Sequence, residues 1–265
     1  MVKIKVIVNG ALGRMGAETA KAVSQEEDLD LVAVCDVKIE NLPYQDVVKE
    51  VKRELVIQKD LADTIKTNHA DVVVDFTLPH AALANVKTIL ESGAHAVVGT
   101  TGLTPVDLDT IKKLCAKTGR NCLVAPNFAI GAVLMMKFAR AAAHYMPEVE
   151  IIEMHHDQKA DSPSGTAIKT AELILEDLHQ IKKAKRKEIE NIKGARGANL
   201  KGINIHSIRL KGFVASQEVI FGGLGQTLKI RHDSINRESF MPGVILAIRK
   251  VKKIRGLVYG LENLL

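Results

Sequence analysis

The sequence has little cysteine, and what it has is unpaired: Cys35, Cys115 and Cys122 are spread out with no CxxC spacing. An odd, scattered set excludes a disulfide framework and a cysteine-built zinc site, and it suits a reducing cytoplasm. Nor does any apolar run approach the ~20 residues that span a bilayer, so no membrane partner is expected. The apolar stretch at residues 4–8 is short and leads into a glycine loop rather than a small-residue cleavage site, which argues against a signal peptide. Internal repeats, low-complexity linkers, a helix-turn-helix pattern and a stripe of basic residues interleaved with aromatics are all lacking.

What remains is a chain of 265 residues, 46% hydrophobic and 26% charged, long enough for one large domain or two modest ones, with two expected. Its net charge of +6 could serve nucleic acid, an anionic membrane, or an enzyme whose substrate and cofactor are both anions. Charge alone does not choose. The densest basic run, Lys182, Lys183, Lys185, Arg186 and Lys187, follows a predicted helix, contains no aromatic residue for base stacking, and reads as a solvated helix end or loop. Lys250, Lys252, Lys253 and Arg255 receive the same reading, so no nucleic-acid partner is expected.

Residues 2–8 alternate lysine with β-branched residues and then turn wholly apolar, as a strand entering a buried parallel sheet does. A glycine turn, a helical pattern over 13–23 and a strand at 31–35 complete a βαβ unit. Strands are predicted at 72–76, 95–98 and 122–125, separated by helices at 79–90 and 104–117. This alternation predicts an α/β, doubly wound parallel sheet whose ligands gather beyond the strands' carboxyl ends, where Asp36, Thr77, Gly99 and Ala125 fall. After Asn127 the rhythm changes to an apolar helix at 131–145, a strand at 149–154, a polar loop, a helix at 166–178 and strands near 203–209, 215–221 and 226–231. Strands without intervening helices predict a second, more open sheet. The helical stretch 239–255 is expected to pack back onto the first domain, giving a dinucleotide-binding domain of 1–127 with 237–265 and a second domain of 128–236. Met135, Met136 and Phe138 read as core at helical spacing.

The loop Gly10-Ala11-Leu12-Gly13-Arg14-Met15-Gly16 is a GxxGxxG variant of the dinucleotide fingerprint, placed between a predicted strand and helix. Glycines let backbone approach a pyrophosphate, and the helix start offers amides and a positive dipole end. Asp36, at the end of the second strand, has the spacing of an acid that accepts from adenosine ribose hydroxyls, which favours NADH over an uncovered 2′-phosphate. Arg14 and Lys38 are either phosphate contacts or surface charge.

The segment from Glu153 to Ala167 concentrates His155, His156, Lys159 and Asp161 ahead of a turn, Pro163-Ser164-Gly165-Thr166, that introduces a helix. Adjacent histidines at a strand end point to opposite faces and are badly placed to ligate one metal, so no metal is expected. The exposed amides of the helix start can bind a carboxylate, Gly165 permits close approach, Lys159 offers a point charge or a proton, and an imidazole exchanges protons near neutral pH. Together these suit a small anionic substrate that gains a proton.

These residues resemble the 4-hydroxy-tetrahydrodipicolinate reductases, also called dihydrodipicolinate reductases, over essentially the whole chain. The resemblance rests on GxxGRMG at Gly10 to Gly16 and on ExHHxxKxDxPSGTA, unbroken from Glu153 to Ala167. It implies a Rossmann-like domain plus a second α+β domain with an open mixed sheet that binds substrate and mediates a homotetramer. It implies NADH or NADPH as cofactor and a cyclic imine dicarboxylate as substrate, reduced at ring carbon 4 in diaminopimelate and lysine synthesis. It places Gly99-Thr100-Thr101 and Ala125-Pro126-Asn127-Phe128 near the nicotinamide, gives proton handling to His155 and proton donation to Lys159, and assigns substrate binding to His156, Gly165 and Thr166. Two departures stand out. Many members carry a basic residue directly after the ribose-binding acid, whereas here Val37 precedes Lys38, which points to NADH or dual use rather than a strong NADPH preference. Many also carry a glycine-rich segment ending in histidine where this chain has Val214-Ala215-Ser216-Gln217-Glu218. The rival readings are a redox-sensing regulator, which has no need of the His155 to Thr166 cluster, and a reductase of another imine or keto acid.

Overall fold

The computed structural model describes residues 2–39, 41–178 and 189–265, so the basic run from Lys182 to Lys187 lies outside the described residues. The described chain divides into two compact units: residues up to Phe128 with Phe240–Leu265, and Ala129–Ser239.

In the first unit, β1 (Ile4–Asn9) carries Val6, Ile7 and Val8 fully buried, as a parallel strand covered on both faces requires. The chain continues through α1 (Arg14–Gln25), β2 (Leu29–Cys35), β3 (Ile57–Gln58), α2 (Leu61–Asn68), β4 (Val72–Asp75), α3 (Pro79–Glu91), β5 (His95–Val98), α4 (Pro105–Thr118) and β6 (Cys122–Val124). The strands pair in parallel in the order β3-β2-β1-β4-β5-β6, and a last strand, β12 (Leu257–Tyr259), joins β6 at the edge. This is the doubly wound Rossmann order, with the direction of winding reversing between β1 and β4. Aliphatic side chains fill the core, including Ile7, Val73, Val86, Ile89, Leu90 and Ile111. The predicted elements of this unit stand within a few residues. Thr104 is not helical but caps α4 in a reciprocal capping box with Asp107. Absent from the sequence reading are β3, α2 and β12, of which the two strands are too short for their periodicity to register.

The final helix is shorter than the expected 239–255. Arg237–Phe240 form a 3-10 turn, and α7 (Met241–Val251) follows with proline in its first turn. Arg249 fastens α7 beside α1 by donating to Asp28 at 2.6 and 2.8 Å and to Glu26 at 2.6 Å. Lys252 donates to Asp71 at 2.7 Å, and Lys250 to the Leu264 carbonyl at 2.5 Å. These cations of the second basic cluster therefore have local partners. Being half-exposed, such pairs fix orientation and contribute on the order of 1 kcal/mol or less each.

The second unit contains α5 (Ile130–Ala143), β7 (Glu148–His155), α6 (Gly165–Leu178), β8 (Ala198–Leu200), β9 (Ile203–Arg209), β10 (Ala215–Gly223) and β11 (Gln226–Ser234). The sheet order is β11-β10-β7-β9-β8, with β7 and β9 parallel and the other pairs antiparallel, so the sheet is mixed. Gln217 of β10 donates to Thr170 of α6 at 2.8 Å, which identifies the helix-covered face. Register and the two-residue period place Ile151, Glu153 and His155 on that same face. Met135 and Met136 are buried as expected, but Phe138 is 55% exposed. At 100° per residue it lies roughly 130° from the centre of the buried face formed by Ala132, Val133, Met135, Met136, Ala139 and Ala143.

All three cysteines are buried and free, and burial pushes the thiols of Cys35 and Cys115 up to about 11. A thiol-reactive disulfide reagent should therefore label none of the three in native protein and all three after denaturation. Labelling of the native protein at the unfolded rate would contradict this packing.

Candidate active site

The glycine loop is held from beneath by its own protein. Gly10 and Ala11 donate their amides to the Cys35 carbonyl, Leu12 donates to the Asp36 carboxylate at 3.0 Å, and Gly13 donates back to Gly10. The buried Tyr44 hydroxyl donates to the Ala11 carbonyl at 2.9 Å from a 3-10 turn 33 residues away. With those amides used, the donors left to face an anion are Arg14, Met15 and Gly16, which precede the first helical bond, Ala17 to Gly13. Gly13 occupies the cap position and has no side chain to cover them. A Cβ on Gly16 would fall 2.1 Å from the Gly10 oxygen, and one on Gly10, at φ +80°, would meet the Phe76 carbonyl at 2.7 Å. This cradle fits a dinucleotide pyrophosphate.

Asp36 is buried, with Oδ2 accepting from Leu12 and Oδ1 accepting from the Lys38 amide at 3.0 Å. Each oxygen retains acceptor capacity for a ribose hydroxyl. Val37 is 82% exposed, and the Lys38 and Arg14 side chains are exposed as well.

Across the carboxyl edge of the sheet, Asp75 is fully buried at the end of β4. It accepts from Asn9, from the Thr77 amide and hydroxyl, from Asn85, and from the Thr100 hydroxyl at 3.1 Å. Gly99 must lack a side chain because the Phe76 ring lies against it, with a Cβ falling 2.0 Å from the ring. Phe76 meets Phe128 edge to face at 5.7 Å, a geometry that contributes about 0.5–1.5 kcal/mol beyond area burial. Ala125 and Phe128 are buried, Asn127 is half-buried, and Pro126 and Thr101 are exposed. The structure thus brings the glycine loop, Asp36, Gly99-Thr100-Thr101 and Ala125 to Phe128 to the same edge of one sheet.

In the second unit His155 ends β7, and its Nδ1 lies 2.5 Å from the Glu153 carboxylate. Arg209, at the end of the adjoining β9, donates from both Nη atoms to Glu153 at 2.8 and 2.9 Å and from Nη2 to the Asp161 carbonyl at 2.6 Å. Lys159 donates to the Asp161 carboxylate at 2.6 Å. Ser164 accepts from the Ala167 amide and so caps α6, leaving Gly165 and Thr166 in its first turn. His156, just past the strand, is half-buried. A dicarboxylate can meet the α6 amides and Lys159 here, and a proton can come from imidazole or ammonium.

Glu153 is completely buried. Burial alone would raise its carboxyl, but hydrogen bonds from His155, Arg209 and Ser207 outweigh this and bring it from the ordinary 4.5 down to about 2. Neither Glu153 nor Arg209 was singled out from sequence. Glu153 opens the motif but was given no role there, and Arg209 stands 56 residues away with nothing local to mark it. Tyr44 and Asp75 were likewise missed, while Asp161 was named within the segment without a role.

Family models for dihydrodipicolinate reductase match the chain on both sides, the N-terminal one over residues 4–128 and the C-terminal one over 131–265. The 4-hydroxy-tetrahydrodipicolinate reductase of Listeria welshimeri is 50% identical over 262 residues, covering 99% of this chain and all of that protein. That of Halalkalibacterium halodurans is 50% identical over 266 residues, covering 99% of each. Among solved structures, a dipicolinate-bound dihydrodipicolinate reductase from Paenisporosarcina sp. TG-14 superposes with a TM-score of 0.88 at 46% identity, with full coverage of both chains. An amine dehydrogenase from Mycobacterium smegmatis, at 14% identity and a TM-score of 0.69 over 96% of this chain and 94% of its own, shares the fold alone.

Because the folded Glu153 titrates below its ordinary value, its stabilisation is complete above pH 4.5 and is lost as pH falls towards 2. Glu153→Gln lacks this titration and leaves Arg209 without its partner, a loss of about 3–5 kcal/mol near neutral pH. Urea midpoints of wild type and variant should differ most above pH 4.5 and converge as pH approaches 2. A gap that does not change with pH would show that Glu153 carries no such shift.

Proposed function

The chain belongs to the dihydrodipicolinate reductase family, and we propose that its two units divide that family's reaction between cofactor binding and substrate handling. The enzyme reduces 4-hydroxy-2,3,4,5-tetrahydrodipicolinate, via dihydrodipicolinate, to tetrahydrodipicolinate with NADH or NADPH, in the diaminopimelate route to lysine. The observation that carries the division is the continuous chain of contacts from His155 through Glu153, Arg209 and Asp161 to Lys159, beside the capped start of α6.

On this reading residues 1–127 with 237–265 bind the cofactor and 128–236 bind substrate and assemble the oligomer. Gly10 to Met15 and the α1 amides hold the pyrophosphate, and Asp36 receives the adenosine ribose. Gly99, Thr100, Thr101 and Ala125 to Phe128 line the nicotinamide end, where Asp75 and the Phe76–Phe128 contact keep the loops from shifting. The chemistry that the cofactor supplies when bound is a hydride, delivered to ring carbon 4 of the conjugated imine left after loss of water. In the second unit His156, Gly165 and Thr166 anchor the substrate carboxylates, and Lys159 exchanges Asp161 for one of them. His155 or Lys159 then gives the enamine its proton. Positioned acid catalysis of this kind contributes about 10² to 10⁴ in rate.

We place the enzyme in the cytoplasm, which three buried, free thiols suit. Among the described residues no helix is long and apolar enough to cross a membrane. The assembly proposed is a homotetramer through the second sheet. Its face opposite α5 and α6 carries Ile152, Ile208 and Ile220, and Ile208 is 40% exposed.

The test follows NADH and NADPH absorbance with substrate made in situ from pyruvate and aspartate semialdehyde by a dipicolinate synthase. Oxidation of both, with NADH at least as fast, is expected from Asp36 followed by exposed Val37. His155→Ala and Lys159→Ala should each lose turnover, and the one that acts as proton donor should fall about 10² to 10⁴ fold. If His155→Ala kept full turnover and normal substrate affinity, its role here would be wrong. Light scattering should give four times the chain mass. A monomer that remained fully active would remove the tetramer from the proposal.

A further inference from the structure

We infer that the buried Glu153–Arg209 pair is a positioning device for proton transfer, holding His155 in a single tautomer and tying the Lys159 loop to it. The inference rests on the assignment of proton handling to His155 and Lys159.

An ionised carboxylate can only accept hydrogen bonds, and a guanidinium can only donate them. Glu153 Oε2 receives Arg209 Nη1 and faces His155 Nδ1 at 2.5 Å, while Oε1 receives Arg209 Nη2 and the Ser164 amide at 3.3 Å. Every partner of Glu153 must therefore be a donor. His155 Nδ1 carries its hydrogen in the neutral ring as well as in the imidazolium, and Nε2 is left as the nitrogen that exchanges a proton with substrate. A glutamine in place of Glu153 could accept from Nδ1 or donate to it, and the tautomer would no longer be set. Charge has no evident stability rationale at this position, because an apolar pair of similar volume commonly serves a core as well or better. The pair's use lies in what it orders.

Arg209 extends that order to the second proton-bearing group. Its Nη2 also donates to the Asp161 carbonyl, and the Asp161 side chain receives Lys159. One guanidinium, rooted on β9, thus fixes both the orienting acid of His155 and the backbone that carries the Lys159 contact. On β10 the residue opposite His155 is Ala215, which brings no competing charge.

The test compares Glu153→Gln, Glu153→Asp and the double variant Glu153→Gln with Arg209→Met, using the full chain, both nicotinamide cofactors and in situ substrate. Glu153→Gln should lose about 100-fold or more in kcat, the scale of a misoriented acid, with KM for NADH and for substrate within about threefold. The double variant removes the unpaired guanidinium, so it should regain melting temperature without regaining kcat. Glu153→Asp keeps the carboxylate and should recover at least about tenfold of the kcat lost in Glu153→Gln. Recovery of kcat together with stability in the double variant would mean that the pair is only structural, and the inference would be overturned. Wild-type kcat in a folded Glu153→Gln would overturn it as well. His155→Ala run in parallel separates the two levels. If it is dead while Glu153→Gln is fully active, only this inference fails; if it is fully active, the assignment beneath it fails too.

Discussion

A carboxylate removed from water must be met by donors, and among the described residues three buried acids impose that requirement. Asp75 ends its strand, Asp36 follows one, and Glu153 stands two residues inside the end of β7, so all three face the loops at a sheet edge. Leaving one unmatched would cost several kcal/mol, whereas each hydrogen bond to a charge returns about 1.5–3 kcal/mol. Only a near-complete shell of donors closes that gap. The loops around each acid are consequently held in one arrangement. Asp36 takes the Leu12 and Lys38 amides; Asp75 gathers Asn9, Thr77, Asn85 and Thr100; Glu153 gathers His155, Arg209 and Ser164.

The same requirement decides which groups are left for ligands. In the glycine loop, Asp36, Tyr44 and the Cys35 carbonyl take both polar groups of Ala11 and the Leu12 amide, so the backbone donors still turned outward are those at the start of α1. In the second unit, Ser164 caps α6 from within and its amide donates to Glu153, the carboxylate that also meets His155. Reduction by a dinucleotide benefits from a rigid platform, because the protein contributes orientation and proton delivery while the cofactor contributes the hydride.

Much of this was legible without coordinates, for reasons that can be named. The βα alternation shows in the apolar runs because a doubly covered strand has no polar face. Gly10 and Gly16 are readable because only a residue without Cβ tolerates the approach of Gly10 to Phe76 and of Gly16 to Gly10. The His/Lys segment is readable because its chemistry is contiguous. By contrast, Phe138 shares the spacing of its buried neighbours yet points outward, since a helix's apolar residues do not by themselves say where the partner surface ends. The short strands β3 and β12 follow from the sheet they extend, not from their own two or three residues.

The sequence by itself thus determined the class of fold, the glycine-loop fingerprint and the family motif that holds His155 and Lys159, because those depend on local periodicity and on contiguous side-chain chemistry. The tertiary structure alone decided which groups serve them. Tyr44 reaches Ala11 across 33 residues, Asp75 reaches Thr100 across 25, and Arg209 reaches Glu153 across 56. Such partners are chosen by the proximity of strand ends after the sheets have formed, and a buried charge accepts whichever donor the fold delivers to it.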